Sequence, residues 1–200
     1  SEIHQVVEKK ERVLVTTLTK KMAEILDEND IKCGVIGTLG SFYLDKYIEP
    51  TLTTPDPIEL HKILFEMYCA GIEVVVMEVS AHAIYLDKVN NIKFYCAVFT
   101  NFSQDHLDFF DNMENYKNAK LKFFKQNKCK FIVSNSDDEL GREISKLSNN
   151  VITYGMDNPA DVFAINVACT STRTSFFLNL FDFVEQVELN MVGFFNVYNA

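Results

Sequence analysis

Three short apolar runs in this 200-residue chain are each followed at once by residues able to do chemistry. VVVMEVSAHA places Glu78, Ser80 and His82 behind one run. AVFTNFSQDHLD places Thr100, Asn101, Ser103, Asp105, His106 and Asp108 behind a second, and FIVSNSDD places Asn135, Asp137 and Asp138 behind a third. Carboxylates and an imidazole gathered at one sheet edge can hold a divalent cation against phosphates. The competing reading is that the same groups cap helices and satisfy turns. One cluster alone fits that second reading well. Three clusters at equivalent strand ends favour a ligand site, because open parallel sheets bind ligands beyond the carboxyl ends of their strands.

The elements that would position these groups follow from apolar periodicity. Arg12–Val15, Cys33–Ile36, Val74–Met77, Ala97–Phe99 and Phe131–Val133 read as strands. Thr19–Asn29, Pro57–Ala70, Glu114–Phe124 and Glu139–Leu147 read as helices, the second with Leu60, Ile63, Leu64 and Met67 spaced for burial. Strands alternating with helices predict an α/β fold with a mostly parallel sheet flanked by helices. Beyond Val151 the texture changes. Phe163–Val167, Ser175–Leu180 and Val187–Met191 read as strands with no helix between them, a small antiparallel extension in the C-terminal third. GFFNVYNA, at the chain end, reads as the start of a helix.

The bulk numbers bound the function. The chain is 48% hydrophobic and 24% charged, the profile of a globular domain rather than a disordered one. Its net charge of −9 argues against nucleic acid and anionic membranes as partners. Cys33, Cys69, Cys96, Cys129 and Cys169 are odd in number and form no C-x-x-C pair, which fits reduced thiols in a cytoplasmic protein. No apolar run approaches the ~20 residues of a membrane span, and the charged opening SEIHQVVEKKER has no signal-peptide core.

VMEVSAHAI, FTNFSQDHLDFF, ENYKNAKLKFF and VGFFNVYNA, with LTTPDPIEL and GVIGTLG in the same order, resemble successive motifs of the Mur ligases. The similarity is strongest to the MurE branch, the UDP-N-acetylmuramoyl-tripeptide synthetases, and runs from about Val13 onward. The resemblance implies the central, P-loop-type ATPase domain of a three-domain enzyme. The flanking domains, for the uridine nucleotide and for the incoming amino acid, would lie outside this chain. It implies ATP and Mg2+ as cofactors, and UDP-N-acetylmuramoyl-peptide and an amino acid as partners. The implied reaction has two steps: ATP phosphorylates a terminal carboxylate to an acyl phosphate, and an amine then displaces phosphate. By the same resemblance Glu78 binds magnesium, His106 binds a second magnesium, and Lys120 carries a carbamate. Thr53, Thr54 and Ser80 contact the muramoyl-peptide, while Asn196 and Asn199 border the adenine.

The chain departs from the family pattern at the phosphate loop. A sequence like GTNGKT belongs between the first strand and first helix, yet here Val15-Thr16-Thr17-Leu18 joins them directly. A strand-to-helix connection normally needs ~2–6 residues. Thr16 and Thr17 therefore mark where a nucleotide-binding loop would sit. Either the protein lacks it or the sequence as given leaves it out; matching residues on both sides favour omission. Ala81, Leu86 and Lys88 are smaller departures. Asp157-Asn158-Pro159-Ala160 resembles a lysine-selecting tetrapeptide of the family's C-terminal domain, but its position reads as a turn. Open alternatives are a folylpolyglutamate- or cyanophycin-synthetase-like ligase, a binding module without a phosphate loop, and a metal-dependent hydrolase using Glu78, His82 and His106.

Overall fold

The computed structural model describes residues 22–103, 107–126 and 129–199. The first predicted strand, the Thr16-Thr17 junction and His106 lie outside the described residues. The chain divides into two compact units, Ser1–Val89 and Asn90–Ala200.

The first unit contains a helix at 22–28 (α1), then β1 (Cys33–Gly37), β2 (Gly40–Tyr43), β3 (Lys46–Ile48), α2 (Pro57–Cys69), β4 (Val74–Met77) and α3 (Ala81–Tyr85). The strands form one sheet in the order β3-β2-β1-β4. Strands β1 and β4 are parallel, with Cys33 opposite Val74 and Ile36 opposite Met77. That pairing requires a crossover, and α2 supplies it. Pro57 opens α2, where a missing N–H costs nothing. Leu60, Ile63 and Met67 line its buried face. The chain leaves the helix at Gly71, where Ile72 N–H donates to Met67 O and Gly71 N–H to Tyr68 O, a Schellman ending. Asp56, at the N-cap position, makes no side-chain cap. Its carboxylate instead meets Lys88 Nζ at 2.5 Å.

The second unit contains β5 (Cys96–Phe99), α4 (Leu107–Phe110), α5 (Met113–Gln126), β6 (Phe131–Asn135), α6 (Glu139–Ile144), β7 (Val151–Gly155), β8 (Val162–Cys169), β9 (Thr174–Leu180), β10 (Phe183–Leu189) and a 3-10 helix, Phe194–Asn199. Its sheet runs β10-β9-β8-β7-β6-β5. Neighbours from β5 to β8 are parallel, and β8, β9 and β10 are antiparallel. Phe99, Leu121, Ile132, Leu140 and Ile144 form a core over the parallel part. Ala164, Phe176 and Val197 form a smaller one over the antiparallel part, which seats the 3-10 helix.

The α/β class, the parallel strands and the antiparallel extension agree with the sequence reading. The β2–β3 hairpin, β7, and the short helices α3 and α4 were not anticipated, and β10 begins four residues earlier than expected, at Phe183.

Candidate active site

In the first unit the parallel pair β1 and β4 delivers its polar residues from adjacent carboxyl ends. Glu78 follows β4 directly and its N–H donates to Ile36 O, which extends the pairing by one residue. The side chain is 6% exposed, so its carboxylate has to be held by donors. Thr38, just past β1, provides two: its N–H at 3.1 Å and its hydroxyl at 2.7 Å, both to Oε2. Gly37 makes this approach possible, since a Cβ there would sit 2.8 Å from the Glu78 carboxyl carbon and Oε1. The Thr38 hydroxyl also lies 3.1 Å from that of Thr53.

Thr54 continues the network. It is 2% exposed, and its hydroxyl donates to Glu78 O at 2.9 Å while accepting from Ser80 N–H at 2.9 Å. The Ser80 hydroxyl lies 3.5 Å from that of Thr54 and accepts from Ala83 N–H at 3.2 Å, capping α3. The structure therefore brings Glu78, Thr53, Thr54 and Ser80 together, and adds Thr38. Thr38 lies in the GVIGTLG motif, and the signal that could have found it is the glycine before it.

Hard oxygen donors of this kind suit magnesium, which keeps waters and phosphate oxygens in its shell and needs few protein ligands. Two threonine donors orient Oε2, and a carboxylate has about four lone-pair sites to offer. Among the described residues no group of three or more His, Cys, Asp or Glu side chains could hold a metal. Glu78 is thus placed to give a cation one carboxylate ligand.

In the second unit Lys120 projects from α5. Its ammonium donates to Asn101 O at 3.1 Å and lies 5.0 Å from the Tyr116 ring centre and 5.6 Å from that of Phe102. Tyr116 is the residue one turn earlier on the same face, as the spacing predicts. Three further contacts clamp the strand end that Lys120 reaches. Asn135 Nδ2 donates to Thr100 O at 2.9 Å, Tyr154 OH lies 3.3 Å from Phe99 O, and Phe102 N–H donates to Asp138 Oδ2 at 2.6 Å.

The third polar cluster is taken up in building the fold. Asp138 Oδ1 caps α6 through Leu140 N–H and Gly141 N–H. Asp137 accepts from Met156, Asp157 and Asn158 N–H, from the Asn158 amide and from Tyr198 OH. Burial pushes its carboxyl up, but these donors outweigh that and hold it below the usual aspartate range. The Asp157–Ala160 stretch supplies the Asp157 and Asn158 donors among them. Asn196 and Asn199 spend their side-chain amides on Val192 O and Phe195 O, at 3.0 and 2.8 Å. Burial pushes the Tyr154 and Tyr198 phenols up, with the Asp137 charge adding at both. No helix among the described residues is long and apolar enough to cross a membrane.

Comparison with known proteins gives a consistent picture. The family described as Mur ligase middle domain matches residues 15–200. A curated relative from Clostridium acetobutylicum, "UDP-N-acetylmuramoyl-L-alanyl-D-glutamate--2,6-diaminopimelate ligase 1", is 43% identical over 186 residues, covering 92% of this chain. A ligase of that name, without the numeral, from Bacillus cereus is 38% identical over 193 residues, again covering 92%. The chain spans 38% and 39% of the length of these two relatives. A solved diaminopimelate ligase of that name superposes with a TM-score of 0.82 at 29% identity, covering 92% of this chain and 39% of its own. MurF from Thermotoga maritima in complex with ADP shares the fold, with a TM-score of 0.66 at 18% identity, over 92% of this chain and 40% of its own.

Proposed function

Because the chain belongs to the Mur ligase family through its middle domain, we propose that it is the ATP-binding part of a cytoplasmic amide-bond ligase of peptidoglycan precursor synthesis. The full protein would add an amino acid to UDP-N-acetylmuramoyl-dipeptide. Diaminopimelate, in the names of the relatives, is the amino acid to test first. Flanking domains for the uridine nucleotide and the amino acid complete the protein in this reading, and the phosphate loop belongs after Thr16.

The observation that carries the proposal is the Glu78 network. It is a buried carboxylate seated over Gly37, oriented by Thr38, and joined through its backbone carbonyl to Thr54 and Ser80. The segments that resemble Mur motifs for metal and muramoyl-peptide thus meet in one hydrogen-bonded unit. Glu78 would hold one magnesium and His106 a second, and each ion would supply positive charge to phosphate oxygens when bound. Thr53, Thr54 and Ser80 would orient the muramoyl-peptide so that its terminal carboxylate attacks the γ-phosphorus. ADP leaves with the bridging oxygen. The amine then adds to the acyl carbon, the C–O bond to phosphate breaks, and the amine proton passes to solvent or a base. Lys120, as a carbamate, would help position a cation. Asn196 and Asn199 would border the adenine.

The test is the full-length protein with ATP, magnesium, UDP-N-acetylmuramoyl-dipeptide and diaminopimelate. Phosphate release equal to amide formed is the expected result, and Glu78→Gln should reduce kcat by about 10²–10³-fold. ATP turnover that proceeds without the muramoyl substrate, or Glu78→Gln activity near that of wild type, would overturn the reading.

A further inference from the structure

We propose that Asp137 is a positioning residue for nucleotide recognition: it fixes the Phe194–Asn199 segment and so sets the selectivity for adenine. The assignment rests on the ligase reading above and concerns a residue to which that reading gives no role.

A six-residue 3-10 helix has poor intrinsic stability and takes its place from what it packs on. Two anchors hold this one. Val197 is buried against Ala164 and Phe176. Tyr198 OH donates to Asp137 Oδ2 at 2.9 Å. The side-chain amides of Asn196 and Asn199 bond to carbonyls within or next to the same segment, so both asparagines go where it goes.

Asp137 in turn is fixed from several sides. Its Oδ2 receives Met156 N–H at 2.5 Å, and its Oδ1 receives Asn158 N–H at 2.7 Å and the Asn158 amide at 2.9 Å. Gly155 admits the carboxylate, which lies 2.9 Å from where a Cβ would stand. Its own N–H donates to Asn135 Oδ1, and Asn135 Nδ2 reaches Thr100 O. The Tyr198 ring also meets the edge of Tyr154, whose hydroxyl lies within 3.4 Å of the same carbonyl. One carboxylate therefore ties the segment bearing both asparagines to the strand end that Lys120 contacts.

The chemistry requires an aspartate. Each oxygen faces a backbone N–H, which can only donate. An asparagine would turn an NH2 toward Met156 N–H or toward Asn158 N–H, whichever way its amide lay.

The experiment uses the full-length protein and measures kcat and KM for ATP, for GTP and for the muramoyl-dipeptide. Asp137→Asn is expected to raise the ATP KM about tenfold, the factor corresponding to one lost charge-assisted hydrogen bond. It should shrink the ATP-over-GTP preference and leave the muramoyl-dipeptide KM within about twofold. Tyr198→Phe removes one hydroxyl and should move the same quantities the same way, by about threefold; it decides the matter if Asp137→Asn does not fold. ATP KM and base preference unchanged in the folded variants would overturn the assignment while leaving the ligase reading intact. So would a fall in kcat alone, which marks a smaller folded fraction. A wild-type protein that consumes no ATP would overturn both.

Discussion

At the scale of the residue, Lys120 presents the arrangement of an ammonium. It donates to Asn101 O and faces two aromatic rings, both of which favour the cation. A carbamate forms only on the neutral amine and is itself an anion, so it must leave these partners. Lys120→Ala in the full-length protein is expected to lose most of the proposed ligase activity and to regain part of it with added short carboxylic acids. Assays with and without acetate or bicarbonate check this, and near-normal activity without them removes Lys120 from the site. Asp137 carries a pH prediction. Its folded-state pKa lies below the ordinary 3.8, so its contribution is complete well above that value and is lost as pH falls through the lowered one. Acid titration of unfolding should show a steeper loss of stability below about pH 4 in wild type than in Asp137→Asn.

At the scale of the element, strand ends act through what caps them. Asp138 serves two elements at once, α6 through Oδ1 and the strand end after β5 through the Phe102 N–H. Asp138→Ala should cost about 1–3 kcal/mol, the sum of a lost cap and a backbone donor left without its partner. Denaturant unfolding of wild type and variant measures it; a change below about 0.5 kcal/mol, the usual size for a surface substitution, would show that water replaces the carboxylate. The same elements show what the sequence made legible. Val74–Met77 was readable to the residue because it is a continuous apolar run between polar neighbours, and Pro57 marked the start of α2. The hairpin β2–β3 was not, because Leu44-Asp45 turns with Leu44 at φ 49°, where no glycine or asparagine gives the usual signal. The short helix α3 escaped because a five-residue element has too little periodicity to read. Glu78, Thr54 and Ser80 stood out by motif, yet Thr38 and Tyr198 did not, since their roles come from partners distant in sequence.

At the scale of the whole molecule, the junction at Thr16-Thr17 carries a prediction about nucleotide binding. A phosphate loop supplies a nest of N–H groups and a lysine charge, and the sequence as given has neither there. This 200-residue chain is expected to show no micromolar, magnesium-dependent ATP binding by calorimetry, whereas a full-length protein carrying the loop is expected to bind. Micromolar binding by the chain itself would refute this account of the junction. The Glu78 seat carries a last consequence. Gly37 ends β1 and Glu78 follows β4, far apart in sequence, yet the carboxylate occupies the space that any larger residue at 37 would fill. A methyl at 37 displaces the acid, and a shorter acid at 78 falls away from Thr38, so a change at either position disturbs the same carboxylate.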